Sequence, residues 1–157
     1  MAMDLKSLLP SANDFAGSDY WEVRLETVTN TAIRVKNGEV EVVNGREESR
    51  GSARALVKGG WGFSSFDRLE DAARYAREAV DCARAVGGGD AAVPTLPPVE
   101  VDLIGTFREH PVEVPLARKV EYALAYDGAV RSHPQVKVST VLYQDSFRRR
   151  VYFNSEE

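Results

Sequence analysis

Cysteine is nearly missing from this chain. Cys82 is the only one in 157 residues, so no internal disulfide can form. That usage suits the cytoplasm, the expected compartment. Histidine is almost as scarce: His110 and His133 are far apart, and each precedes a proline. A zinc site needs three or four His, Cys or carboxylate ligands, commonly with two closely spaced. With no HExxH present, both histidines are expected to be exposed loop residues. Long apolar runs are absent too. Nothing approaches the roughly 20 apolar residues of a membrane span, and the opening MAMDLKSLLP does not resemble a signal peptide. An excess of positive charge is also missing. The net charge is −4, which counts against non-specific nucleic-acid binding. Neither a membrane nor direct contact with nucleic acid is therefore expected.

The catalytic motifs are missing as well. No GxSxG surrounds Ser64, Ser65 or Ser155, and no GK[ST] follows a glycine-rich loop. Cys82 falls near the apolar stripe of a predicted helix, so a buried or half-buried small hydrophobe is expected there, not a nucleophile. Glu47-Glu48 and Glu156-Glu157 sit in polar surroundings and are expected to be solvated. Arg148-Arg149-Arg150 lies on a predicted strand. Alternation there puts Arg149 on one face and its neighbours on the other, so the run is no single basic patch. No catalytic, cofactor-binding or metal-ligating residue is assigned, and no cofactor is expected in this chain.

What the chain does have is an ordinary globular balance, 43% hydrophobic and 28% charged. Its length fits a single domain, 1–157, able to bury a real core. Residues 3–9 read as a short helix. In YWEVRLETV, Trp21, Val23, Leu25 and Thr27 alternate with Glu22, Arg24 and Glu26, the period-two pattern of a strand with one buried and one wet face. Ile33 and Val35, then Val40 and Val42, continue the pattern around Asn37-Gly38, a strong hairpin signal. NGREESRG, 44–51, reads as a polar loop or turn. SARALVKGGWGFSSF then reads as strand, turn at Gly59-Gly60, and strand, with Trp61 or Phe63 inward. The glycine cluster fails as a phosphate loop, because another short strand separates it from the next helix. Gly62 marks a place where something approaches the backbone closely.

Asp67 is expected to cap the first helix, with Glu70 three residues on. Leu69, Ala72, Ala73, Ala76, Ala79, Val80 and Ala83 form its stripe, and Gly87-Gly88-Gly89 ends it. Residues 88–100 read as a linker. A second helix is expected over 112–129, with Pro115 near its first turn and Val120, Ala123 and Leu124 inward. Val136, Val138, Thr140 and Leu142 suggest a further strand, with RRRVYF as its hairpin partner. Runs of strands and helices of this kind define an α+β fold: a mostly antiparallel sheet of about five to seven strands with two main helices packed on it.

The order of these cues resembles the TldD/PmbA family, whose members were first labelled modulators of DNA gyrase. YWEVRLE matches its opening strand, and Asn37-Gly38 its first turn. Gly51 to Val57 matches a G-x-x-V-R-V-L-like strand. Gly59, Gly62, Phe63 and Ser64 match a G-x-x-G-F-A/S turn. YFNSEE is similar to the Asn-Ser-Glu that follows a strand in family members. The resemblance covers most of 18–86, with weaker echoes to the end, and the GGWGF turn leans towards the TldD type. It implies the N-terminal domain of a cytoplasmic zinc metallopeptidase that contributes to the substrate cleft and to subunit assembly. Zinc in such a protein is held by His-Glu-x-x-x-His and a cysteine in the C-terminal half. Nothing here matches those ligands, and Cys82 is not that cysteine. This chain is expected to be a fragment or truncated member, inactive alone. The implied partners are a peptide or unfolded polypeptide substrate and a family subunit, in a homo- or hetero-oligomer. The alternative is a non-catalytic peptide-binding or protein-interaction module, capturing extended peptides by strand addition.

Overall fold

Two tight turns set the first three strands. The computed structural model describes residues 4–94, 97–103 and 105–156. Asn37 (φ 50°) and Gly38 (φ 88°) both adopt left-handed backbone, as a type I′ hairpin turn requires. They join β1, Tyr20–Lys36, to β2, Glu39–Val57. Lys58 (φ 47°) and Gly59 (φ 76°) repeat the device before β3, Gly60–Phe66. Val57 pairs with Gly60 and Gly51 with Phe66, so this tip lies one residue earlier than the expected Gly59-Gly60. Two helices follow, α1, Ala72–Val86, and α2, Leu116–Arg131, then β4, Thr140–Asn154.

The fold is α+β, an antiparallel sheet in the order β3-β2-β1-β4 with two main helices. The described residues hold four strands, not five to seven. The polar segment 44–51 is no turn but the middle of β2. The expected 136–142 strand and its RRRVYF partner are one strand, β4. On β4, Val141 and Tyr143 pack against the core of one unit and Val151 and Phe153 against that of the other, while Leu142, and Val138 before the strand, are exposed. Of the expected helix at 3–9, position 3 lies outside the described residues, and Leu5–Leu8 forms a single 3-10 turn. Of the expected linker, 95 and 96 lie outside them, and 88–94 and 97–100 carry no helix or strand. No helix among the described residues is long and apolar enough to cross a membrane.

The chain divides into two compact units. The first takes the chain up to Thr27, Ser49–Leu103, and the chain from Arg149 onward. Its core joins Trp21, Val23 and Leu25 of β1 to Ala53, Ala55 and Val57 of β2 and to the alanine stripe of α1. Phe15 stacks flat on Trp21, ring centroids 4.4 Å apart. On β3 the inward positions are Gly60, Gly62, Ser64 and Phe66. The aromatics expected there, Trp61 and Phe63, point the other way, and Phe63 is exposed. Only glycine fits: a Cβ on Gly62 would collide with the Ala79 carbonyl and the Ala83 backbone of α1. Ser64 Oγ, also inward, donates to the Tyr75 carbonyl at 2.7 Å. Asp67 does not cap α1. A 3-10 turn, Leu69–Asp71, comes first, anchored by buried Leu69, and the helix begins at Ala72.

The second unit comprises Val28–Glu48 and Ile104–Arg148. Its apolar core is small: Ile33, Val35 and Ala123, with Val120, Leu124, Val141 and Tyr143 against them. Buried polar groups take much of the remaining interior, among them Lys119, Asp127, Thr31 and Ser139.

Candidate functional site

Polar side chains concentrate in two places, one in each unit. In the first unit they lie on the face of the sheet turned away from α1. Alternation along β1 sends Trp21, Val23 and Leu25 to the core and Glu22, Arg24 and Glu26 to the opposite face. Arg50 and Arg54 of β2 and Arg150 and Tyr152 of β4 meet them there. Glu26 is 5% exposed and takes two guanidiniums. Arg50 Nη2 lies 2.7 Å from its Oε1, and Arg150 Nη2 lies 2.6 Å from its Oε2. Glu22 Oε2 accepts from Arg54 at 3.0 Å, and the hydroxyls of Tyr20 and Tyr152 lie 3.0 Å from the same oxygen. Burial, then the hydrogen bonds with Tyr152 and Glu22, pushes the Tyr20 hydroxyl far above its ordinary range. The Arg54 guanidinium sits 4.5 Å from the centre of the Trp61 ring, and that of Arg24 lies 5.5 Å from the Tyr152 ring.

In the second unit the polar groups knit α2 to its strands. Lys119 Nζ contacts Asp145 Oδ2 at 2.8 Å and donates to Thr31 Oγ1 at 3.1 Å. The Tyr143 hydroxyl donates to Asp145 Oδ2 at 2.7 Å. Burial alone would raise the Asp145 carboxyl, but hydrogen bonds from Lys119 and Tyr143 hold it below the usual carboxylate range. Burial and the Asp145 contact push Tyr143 up to about 12. Asp127 is wholly buried. It accepts from Ser139 Oγ at 2.5 Å and from Arg131 Nε at 2.6 Å, and the Ser139 bond leads the causes that lower its pKa. Ser139 N in turn donates to the Asn37 side chain at 2.9 Å, so the first hairpin turn is clasped to α2 through this carboxylate. No buried side-chain nitrogen or oxygen among the described residues is left without a partner. Lys119 and Asp145 both have partners within the unit, and the cluster ties α2 to β1 and β4.

The residues weighed from sequence are not brought together. Cys82 is exposed on α1, not buried. Ala79, Val80 and Ala83 take the inner face, and position 82 points off it. His133 is exposed, but His110 is half-buried. Its ring packs 4.4 Å from that of Phe147 and 5.0 Å from that of Phe107. Its Nδ1 accepts from the Val112 amide at 3.3 Å. Among the described residues no three His, Cys, Asp or Glu side chains are gathered so as to hold a metal ion. The zinc implied by the resemblance does not fit the residues present. Glu48 is not in a loop but on β2, where it pairs with Arg46 at 2.9 Å, and Glu157 lies outside the described residues. The sequence missed the cross-strand grouping around Glu22 and Glu26. Their wet-face alternation was its one visible trace.

An antiparallel sheet backed by an alanine-rich helix against glycines is matched by metallopeptidase domains. A family model described as PmbA/TldA metallopeptidase domain 1 matches residues 21–84. The model of the central domain of the same metallopeptidases matches 109–157. The chain belongs to the TldD/PmbA family. It is 28% identical over 141 residues to a metalloprotease of Synechocystis sp., a match covering 88% of this chain and 30% of that protein. Two solved structures share the fold. A candidate DNA gyrase modulator from Bacteroides thetaiotaomicron has TM-score 0.72 and 16% identity, covering all of this chain and 38% of that one. TldE from Thermococcus kodakarensis has TM-score 0.68 and 17% identity, covering 97% and 35%. The chain spans about a third of the length of each.

Proposed function

We propose that this chain is the non-catalytic portion of a zinc metallopeptidase, shaping the substrate cleft and subunit contacts while the metal is held elsewhere in the polypeptide. The observation that carries this reading is the pair of consecutive matches, to a first and then a central metallopeptidase domain. No group of three His, Cys, Asp or Glu side chains among the described residues is gathered to hold a metal ion, in keeping with a supporting role. The substrate is a peptide or unfolded polypeptide, and the partner is a family subunit; neither nucleic acid nor membrane is engaged.

A graft tests the proposal. The corresponding third of the Synechocystis metalloprotease is replaced by this chain, and zinc content and hydrolysis of a labelled casein are measured. Deletion of that third should abolish hydrolysis while zinc is retained, and the graft should restore hydrolysis. The isolated chain, dialysed without chelator, should retain far less than one zinc. One zinc per isolated chain with hydrolysis, or a deletion that leaves hydrolysis intact, would overturn it.

A second reading, a peptide-binding module acting by strand addition, is favoured by one feature. Among the described residues β4 ends the sheet, and the outer backbone groups of an edge strand can pair with an added strand.

A further inference from the structure

We infer that the sheet face of the first unit is a docking surface for an extended, acidic stretch of polypeptide. Arg24, Arg50, Arg54 and Arg150 supply the charge, and Trp61 and Tyr152 the apolar contact. The inference deepens the reading above, since it names the class of polypeptide the chain receives.

The argument starts from layering. The carboxylates of this face are sunk and the guanidiniums ride above them. Side-chain exposure is 7% for Glu26 and 18% for Glu22, but 56% for Arg50 and 45% for both Arg54 and Arg150. An approaching molecule therefore meets cations and rings, not acids. The charges also fail to cancel. Among the six side chains named, two carboxylates face four guanidiniums: Arg50 and Arg150 lie on Glu26, Arg54 on Glu22, and Arg24 against the Tyr152 ring. These six leave two positive charges over, on a protein whose net charge is −4.

Geometry selects the ligand. A guanidinium fork matches a carboxylate in two parallel hydrogen bonds, and stacking on Trp61 fixes the plane of Arg54 before any ligand arrives. Arg50 and Arg54 are four residues apart on one strand, roughly 13 Å at 3.3 Å per residue. An extended peptide places side chains i and i+4 on one side at the same spacing, so acidic residues there reach both. A long polyanion fits less well, since two surplus charges are soon left behind for an acidic surface.

The test uses the 157-residue chain and three fluorescein-labelled probes: an octapeptide alternating Glu and Val, its Gln/Val counterpart, and a twelve-residue oligothymidylate. Anisotropy is read at low and near-physiological salt. The Glu peptide should bind at least about tenfold tighter than the Gln peptide, and more weakly as salt rises. Arg24→Gln with Arg54→Gln should remove most of that difference. Arg54→Lys should retain part of it. Arg68→Gln, exposed in the β3–α1 connection, should change nothing. Circular dichroism checks that each variant is folded. Equal binding of the two peptides, no binding, no effect of the double variant, or tighter binding of the oligonucleotide would each overturn the inference. An inactive graft combined with selective Glu-peptide binding would break the peptidase reading and leave this surface standing; the reverse pair of results would break the surface alone.

Discussion

Substituting Gly62 by alanine adds one methyl group at the tightest point between α1 and the sheet. The new Cβ falls against the Ala79 carbonyl and the Ala83 amide and Cα, which are helix backbone and not the movable end of a side chain. Relief requires α1 to lift from β3. That lift would loosen the contacts of Ala72, Ala76, Ala79, Val80 and Ala83, all at most 2% exposed. Overpacking of this kind costs about 1–3 kcal/mol, occasionally more. Rigid backbone on the far side argues for the top of that range, about 3 kcal/mol. For a chain of this size each kcal/mol moves Tm by about 2–4 °C, so the expected loss is roughly 6–12 °C. Two glycines serve as controls, because a Cβ at Gly45 on β2 or Gly128 on α2 meets nothing within 4 Å. Gly128→Ala should gain up to about 1 kcal/mol from helix propensity, and Gly45→Ala should stay within roughly 0.5 kcal/mol of the parent or gain slightly. Calorimetry or thermal circular dichroism reads all three. A Gly62→Ala protein melting with the parent, or one no worse than Gly45→Ala, would refute the close-approach account of the GGWGF turn.

Lys119→Met should destabilise by about 3 kcal/mol in urea, the lower end for a broken buried pair, since the Asp145 side chain keeps 15% exposure. Adding Asp145→Leu should recover most of it, and a double variant as poor as the single would show the pair is not coupled. Asp145 and Asp127 both have lowered pKa values in the folded protein. Their contribution is present above the ordinary carboxylate range and is lost as pH falls through the folded values. Urea midpoints should therefore drop below about pH 4, and drop less in the Lys119→Met/Asp145→Leu protein. Tyr143 titrates near 12 in the fold, so its contribution is lost as pH rises from its unfolded value of 10 through 12; Tyr143→Phe should blunt the alkaline loss. Light scattering over a concentration series should show mass above the 17.3 kDa monomer through pairing at the β4 edge; a strict monomer at high concentration would refute pairing there.

The turns were legible in sequence and the strand lengths were not, and the reason is physical. Asn-Gly encodes positive φ locally, so the first hairpin needs no tertiary information. Segment 44–51 sends the opposite signal. Its Asn, Ser, charges and two glycines have the composition of a loop, yet Arg50 reaches Glu26 on β1 and Arg46 reaches Glu48 along β2. These residues are polar because residues 39–47 of β2 are exposed on both faces. Val40 and Val42, read as continuing the buried face, are exposed here, so their alternation marked a strand but no buried side. β4 differs: it alternates exposed and half-buried positions with none fully buried, a weak signal, and its single run of fifteen residues looked like two.

The polar groupings show a second limit. Lys119 and Asp127 lie on the same helical stripe as Ala123, four residues to either side, and two charges in that stripe are a visible oddity. What sequence cannot supply is the partner of Lys119, because Asp145 and Thr31 come from two strands whose pairing depends on the whole sheet. The same holds for Glu26, whose two arginines lie 24 and 124 residues away. Alternation placed Glu22, Arg24 and Glu26 on a wet face, which was correct for the strand but incomplete for the sheet. Once β2 and β4 flank β1, that face gains three more guanidiniums, and the acids sink beneath them. Neither net charge nor any single segment reveals these exposed guanidiniums lying together above sunken acids. The net charge of −4 bears on long-range attraction to polyanions; it says nothing about what four arginines can hold at contact distance.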